Sequence, residues 1–304
     1  MPPVKIRSFV AALAALALLA ACGGDDDATT DTTTTTAEEV DGSEQSTTTA
    51  ADDEGAASDV TADDLLEAVE TTRRAGSATV ELDLGFDGGE LLGAQSVSIG
   101  GKATFDGDRA DLTVSANGEA DTLRILVDGD RSWMGGEGDD VRQALPEGAE
   151  WVAIPGDELR ASQGYSNPGD LAFLYLVGGA QDIEDAGDGY RFDVDLDAAV
   201  ASAPAELQED VASNLSFTGS LDPEITGEVV LDDEGRITSL TVVGIQRPSA
   251  EEAEQLEIDP DSEIRVELGA TLEDFDVDFD VEEPEGRIVP LSEAPQVGAL
   301  LGIG

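Results

Sequence analysis

The side chains able to do acid–base, nucleophilic or metal chemistry are unevenly supplied in this chain. Its 304 residues include 68 Asp and Glu, 15 Lys and Arg, one Cys and no His, for a formal charge of −53. Without His there is no ordinary general base near neutral pH and no imidazole metal ligand. A single Cys makes neither a zinc cluster nor an internal disulfide. Carboxylates remain. Asp274, Asp276 and Asp278 have the spacing of a calcium loop, with Glu285 at its twelfth position. The sixth position is Phe279, where that loop needs Gly for its sharp turn. Apolar alternation through the same residues (Phe275, Val277, Phe279, Val281) argues instead for a strand with an acidic outer face. Formal acid/base pairs are too plentiful among 68 carboxylates to be informative. No Ser lies in a nucleophile-elbow context, and no Gly-rich loop cradles a phosphate between strand and helix. The chain therefore reads as a non-enzyme without cofactor or metal. Its charge repels phosphates, which excludes nucleic acid as a partner.

The one thiol has a specific setting. Lys5 and Arg7 form a basic head, and Phe9 to Ala21 is an unbroken apolar run of 13 residues. That is short of the roughly 20 needed to span a bilayer as a permanent helix, and it has signal-peptide proportions. It ends in Leu19-Ala20-Ala21-Cys22, followed by Gly23-Gly24. This resembles the lipobox of bacterial lipoproteins. The resemblance implies cleavage before Cys22 and a diacylglyceryl group on its sulfur, with further acylation by a fatty acid such as palmitate. The expectation is a protein anchored by lipid to the extracytoplasmic face of the cell membrane. Residues 1–21 are then the signal peptide. Residues 22–58, rich in Thr, Asp, Ala and Glu, cannot bury enough surface to fold and read as a disordered acidic tether.

The remaining elements read as one domain over residues 59–290, followed by a flexible tail at 291–304. Thr61 to Asp64 forms a capping box before a stripe of Leu65, Leu66 and Val69, and Gly76 ends the helix. Alternation then places Val80, Leu82, Leu84 and Phe86 on one face and acids on the other. Val97, Ile99, Ala103 and Phe105 continue it, then Leu112 and Val114. Leu123, Ile125 and Val127 follow the hairpin signal Asn117-Gly118. Short strands begin at Ser132 and Trp151. Asn167 to Gly179 reads as a very apolar helix containing Phe173 and Leu176, bounded by Pro168 and the hinge-like pair Gly178-Gly179. Tyr190 to Leu196 alternates, 197–213 is helical, and strands return around Ile225–Leu231, Ile237–Val242, Ile264–Leu268 and Phe275–Val281. The sum is an α+β fold with a largely antiparallel sheet of roughly ten strands and a few short helices covering one face.

Taken in order, these segments are similar to the LppX/LprA/LprF/LprG lipoproteins of actinobacteria, whose fold resembles the LolA/LolB carriers. The likeness runs from Leu65–Gly76 and Ser77–Phe86 through Leu145–Trp151, Asn167–Gly178, Tyr190–Leu196 and Val229–Ile237 to Thr271–Glu283. It implies a strongly curved half-barrel sheet with helices across its concave face. It also implies an apolar cavity for the acyl chains of a lipid or glycolipid, carried across the envelope, with an envelope lipid exporter as a candidate partner. The cavity candidates are Leu65, Leu66, Val69, Val80, Leu82, Leu84, Leu112, Val114, Leu123, Ile125, Val127, Phe173 and Leu176. The chain departs from the family in its acidity, its few aromatics and the short acidic turn Gly187-Asp188-Gly189. A tethered envelope scaffold with a solid core would share every feature above.

Overall fold

Thr61 starts the first helix as its side chain accepts the Asp64 N–H at 3.3 Å, while the Asp64 carboxylate accepts the Thr61 N–H at 2.9 Å. This reciprocal cap holds α1 (Ala62–Arg74), whose acids lie at its start and whose arginines lie at its end, as the helix dipole favours. The structure, a computed structural model, describes residues 58–87, 94–117, 122–136, 139–160, 171–205, 207–208, 211, 224–246 and 263–300. Cys22, the leader and most of the tether lie outside them.

After α1 the chain forms strands β1 (Ser77–Asp87), β2 (Ala94–Thr104), β3 (Arg109–Ala116), β4 (Thr122–Asp128) and β5 (Arg131–Gly136). Helix α2 (Asp139–Ala144), β6 (Trp151–Pro155) and α3 (Gly156–Arg160) follow. A 3-10 helix (Ala172–Gly179), β7 (Ala180–Asp185), β8 (Gly189–Val194) and α4 (Leu196–Ser202) lead to β9 (Glu224–Leu231), β10 (Ile237–Gln246) and β11 (Ile264–Glu273). The chain closes with β12 (Ile288–Pro290), a 3-10 turn (Leu291–Glu293) and α5 (Pro295–Leu300).

Among the described residues these strands make one open sheet in the order β12-β6-β5-β4-β3-β2-β1-β11-β10-β9-β8-β7. The expectation of roughly ten antiparallel strands is corrected to twelve in a mixed sheet, because β12 runs parallel to β6. Residues 291–300, expected as a flexible tail, instead form a turn and a helix that bury Ala294 and Val297.

The segment after β11 also differs from its reading. Residues 275–281 are not a strand of the sheet. Asp274 and Asp276 take left-handed φ values of 48° and 59°, which turn the chain out of the ladder at Glu273. Asp tolerates that conformation better than most residues. The following strap crosses the outer face of the sheet toward β6. The Ser77 hydroxyl donates to the Val277 carbonyl at 2.8 Å, and Arg109 donates to the Phe279 carbonyl at 2.7 Å. Arg109 also packs over the Phe279 ring, and Arg131 reaches Glu283 at 3.9 Å. The Arg287 carbonyl then accepts the N–H groups of Glu150 and Trp151. Period-two alternation survives in burial, with Phe275, Val277, Phe279 and Val281 less exposed than the aspartates between them, although the backbone turns at Asp276 and makes no strand. Leu126 and Trp133, cross-strand neighbours on this outer face, are both buried.

Candidate functional site

Strand register decides which candidate side chains share a face. Val80 lies opposite Leu272 on one side and Gly101 on the other, and Leu112 pairs with Gly101 and Ile125. One step along, Ala270, Leu82, Ile99, Val114 and Leu123 form the next row. A further step gives Val242, Leu268, Leu84, Val97 and Ala116. Val127 joins Ala110 one row on the other side. All eight strand candidates therefore face the same way, in adjacent rows of one continuous apolar surface.

The helices meet this surface through Leu65 and Val69 of α1, both fully buried, and through the 172–179 helix, where every residue except Gly178 is buried. Two polar contacts fix the arrangement. Thr72, fully buried, donates to the Ala68 carbonyl and accepts the Ile237 N–H at 2.8 Å, which ties α1 to the start of β10. The Tyr175 hydroxyl donates to Glu70 at 2.8 Å and accepts from Arg73 at 2.6 Å. Burial, and then the bond to Glu70, push the Tyr175 hydroxyl above its ordinary pKa.

The hinge expected at Gly178-Gly179 is corrected by the same geometry. Neither residue has a positive φ. A Cβ on Gly178 would fall 1.9 Å from the Ser202 hydroxyl, and one on Gly179 would fall 2.1 Å from the Asp195 carbonyl oxygen. These glycines let α4 approach closely. The left-handed residue at this helix is Leu171, with φ of 50° and complete burial.

Burial separates the candidates into two groups. Leu65, Val69, Val80, Leu112, Val114, Leu123, Ile125, Val127, Phe173 and Leu176 are buried in the main core. Leu66, Leu82 and Leu84 are half-buried. Leu82 and Leu84 continue into Phe86, Ile99 and Leu268, also half-buried, which sequence reading placed on strands without naming them as candidates. Register with Leu82 across the neighbouring strands β1 and β2 could have identified Ile99; Leu268 depends on pairing between β1 and β11, far apart in sequence. The apolar face is thus buried beneath α1 and the 172–179 helix, and is half-exposed toward the far end of β1.

A cleft of about 530 Å³ is lined by residues of β1, β2, β10 and β11, most of which point to the outer face by strand parity. Its outward side chains are mostly polar, although Leu84, Phe86 and Ala270 of the apolar face also border it. No helix among the described residues is long and apolar enough to cross a membrane.

The chain shows likenesses to solved structures. It is similar to LprF from Mycobacterium bovis, at 12% identity over 74% of this chain and 97% of that one, with a TM-score of 0.38. It is also similar to a LolA superfamily protein from Nitrosomonas europaea, at 12% identity over 71% of this chain and 94% of that one, with a TM-score of 0.26. A DUF1329 family protein from Desulfovibrio piger matches at 10% identity over 72% of this chain and 93% of that one, with a TM-score of 0.25. No protein-family model and no curated protein matches the chain.

Proposed function

We propose that the protein is a membrane-anchored lipoprotein that takes the acyl chains of a lipid or glycolipid onto the apolar face of its sheet and carries them across the cell envelope. The observation carrying this reading is the row Leu82, Leu84, Phe86, Ile99 and Leu268. These side chains continue the buried core yet stay half-buried. A contiguous apolar surface left partly open on a sheet face marks a binding site more often than it marks plain surface. Dispersion and water release along an acyl chain contribute about 0.8 kcal/mol per buried methylene. The N-terminal anchor at Cys22 would keep this face near the bilayer, with residues 23–58 as its tether. Two anchoring acyl chains suffice for stable attachment, and one does not.

The scaffold reading has its own support in the deep burial of Val80 and Leu112, each 1% exposed. Native mass spectrometry of the full chain extracted from membranes separates the two. A co-purified lipid, lost when Leu84 and Leu268 are both changed to Asp, is the expected result. A lipid-free protein from every preparation leaves the scaffold.

The anchor has its own test. Cys22→Ser should abolish acylation and release the protein from membranes, or leave it unprocessed. A variant that remains membrane-bound at the mature mass of the unmodified protein contradicts lipidation at Cys22.

A further inference from the structure

Glycine inside a strand removes a packing side chain and enlarges the freedom lost on folding, so it needs a local reason. Several glycines of this sheet have one. A Cβ on Gly101 would lie 2.0 Å from the Asp111 carbonyl oxygen, on Gly136 2.2 Å from that of Thr122, and on Gly227 2.4 Å from the Phe192 ring. Gly85 and Gly269 are different. Neither has a positive φ, and a Cβ on either would meet its nearest neighbour at an ordinary 3.8 Å. Gly100 is as free, with its nearest neighbour at 4.0 Å. By strand parity all three lie on the outer face of three adjacent strands, β2, β1 and β11. A Cβ would fit at each, and strands favour β-branched residues over glycine.

Gly85 and Gly269 line the outer cleft of about 530 Å³, together with Asp83, Asp87, Thr241, Arg265, Glu267 and Thr271. Gly269 lies directly between Asp83 and Thr241, and Gly85 pairs with Glu267. That volume is within the roughly 300–1,000 Å³ of small-ligand sites.

We infer that this cleft binds a neutral, hydroxyl-rich ligand, a short stretch of oligosaccharide, with a sugar ring seated over the bare backbone of Gly85 and Gly269. Each sugar hydroxyl both donates and accepts. Asp83, Asp87 and Glu267 accept; Arg265 donates; Thr241 and Thr271 do either. Three carboxylates outnumber the one guanidinium, which Glu267 already holds at 2.9 Å, so an anionic ligand is repelled. A metal ion is disfavoured too. Among the described residues no three or more carboxylates are gathered to hold one, and Asp83 already accepts from the Ser98 hydroxyl. The absent Cβ atoms are what allow a ring to approach the strands closely. Leu84 and Phe86 of the acyl-facing row also border the cleft, but the sugar is read by trisaccharide binding and the lipid by mass spectrometry, so failure of one is distinguishable from failure of the other.

The test uses the detergent-solubilised full chain and a panel of neutral trisaccharides of glucose, mannose, galactose, arabinose and N-acetylglucosamine, with spermidine and calcium as cationic controls. Calorimetry and saturation-transfer NMR read binding. At least one trisaccharide should bind with a dissociation constant of about 1 mM or tighter, the scale of a weak specific site. Gly85→Val and Gly269→Val should each weaken it tenfold or more while leaving Tm unchanged or raised. Three results overturn the inference: no trisaccharide binds, only a cationic control binds, or the valine variants bind like the parent. Loss of fold in the valine variants and in Gly85→Ala and Gly269→Ala overturns it as well, since the glycines would then be structural.

Discussion

Thr72 shows how one side chain can join two elements. It is fully buried, and its hydroxyl stands where the Ile237 N–H would otherwise have no acceptor. Thr72→Val keeps the shape and removes the acceptor, so the penalty is that of a buried unsatisfied donor, about 1–3 kcal/mol. Denaturant unfolding should show the midpoint falling with little change in slope. Three aspartates make the fold sensitive to acid. The Thr104 hydroxyl lowers the pKa of Asp106, and the Thr61 side chain and N–H lower that of Asp64. Burial opposes the charge of Asp232, but the Arg236 N–H and guanidinium outweigh it and lower its pKa as well. A carboxylate depressed in the folded state stabilises it above the unfolded pKa, near 3.9. That contribution disappears as pH falls through the folded values. Thermal unfolding should therefore be nearly flat in these groups above about pH 5 and decline below pH 4. Asp106→Asn and Asp232→Asn together should flatten the decline. Such detail was partly legible in advance: the capping box at Thr61 is a sequence pattern, whereas the bond from Thr72 to Ile237 joins residues 165 positions apart.

At the scale of elements, the two burial groups make opposite forecasts. Leu112 is 1% exposed, and Leu112→Trp should overpack the core at a loss of about 1–3 kcal/mol. Leu84 is half-buried, so Leu84→Trp should fold with its stability nearly intact and retain less lipid. Equal destabilisation by both would mean that the apolar face is solid throughout. The 172–179 helix carries a related test. It is pinned to α1 by Tyr175 and packed against α4 through Gly178 and Gly179. Hydrogen exchange should show whether this contact opens. Faster exchange at 172–178 in lipid-free protein, slowed on loading, identifies a moving cover, and equal strong protection identifies core. Strand alternation located nearly every inward residue, because burial on one face imposes a period of two. It could not assign 275–281 to the sheet or to its back, because an extended chain has that period in either place.

For the whole molecule the dominant quantity is charge. Isolated surface ion pairs, such as Arg191 with Glu228 at 3.5 Å, are each worth about 0–1 kcal/mol and weaken in salt. With 68 acids against 15 bases, the larger effect is self-repulsion, which salt also screens. Screening should favour the folded chain on balance, and Tm should rise with added NaCl. A flat or falling curve would show that the acids lie too far apart, or too much in the tether, for folding to sense them.

The strand order has a consequence for how the chain is made. β1, near the start of the domain, pairs with β11, and the last segment returns across the back of the sheet to supply β12 beside β6. Neither half is finished by its own residues: Arg109 and Arg131 await their partners in the strap, and the edge of β6 awaits residues 288–290. A ribosome or a translocation channel releasing this chain from its N-terminus therefore delivers strands whose central partner has not yet emerged. Long-range pairing of this kind is slow to form. For the export behind a leader proposed above, that delay would be useful: the chain would stay threadable until its last few dozen residues were through, and only then could the fold lock.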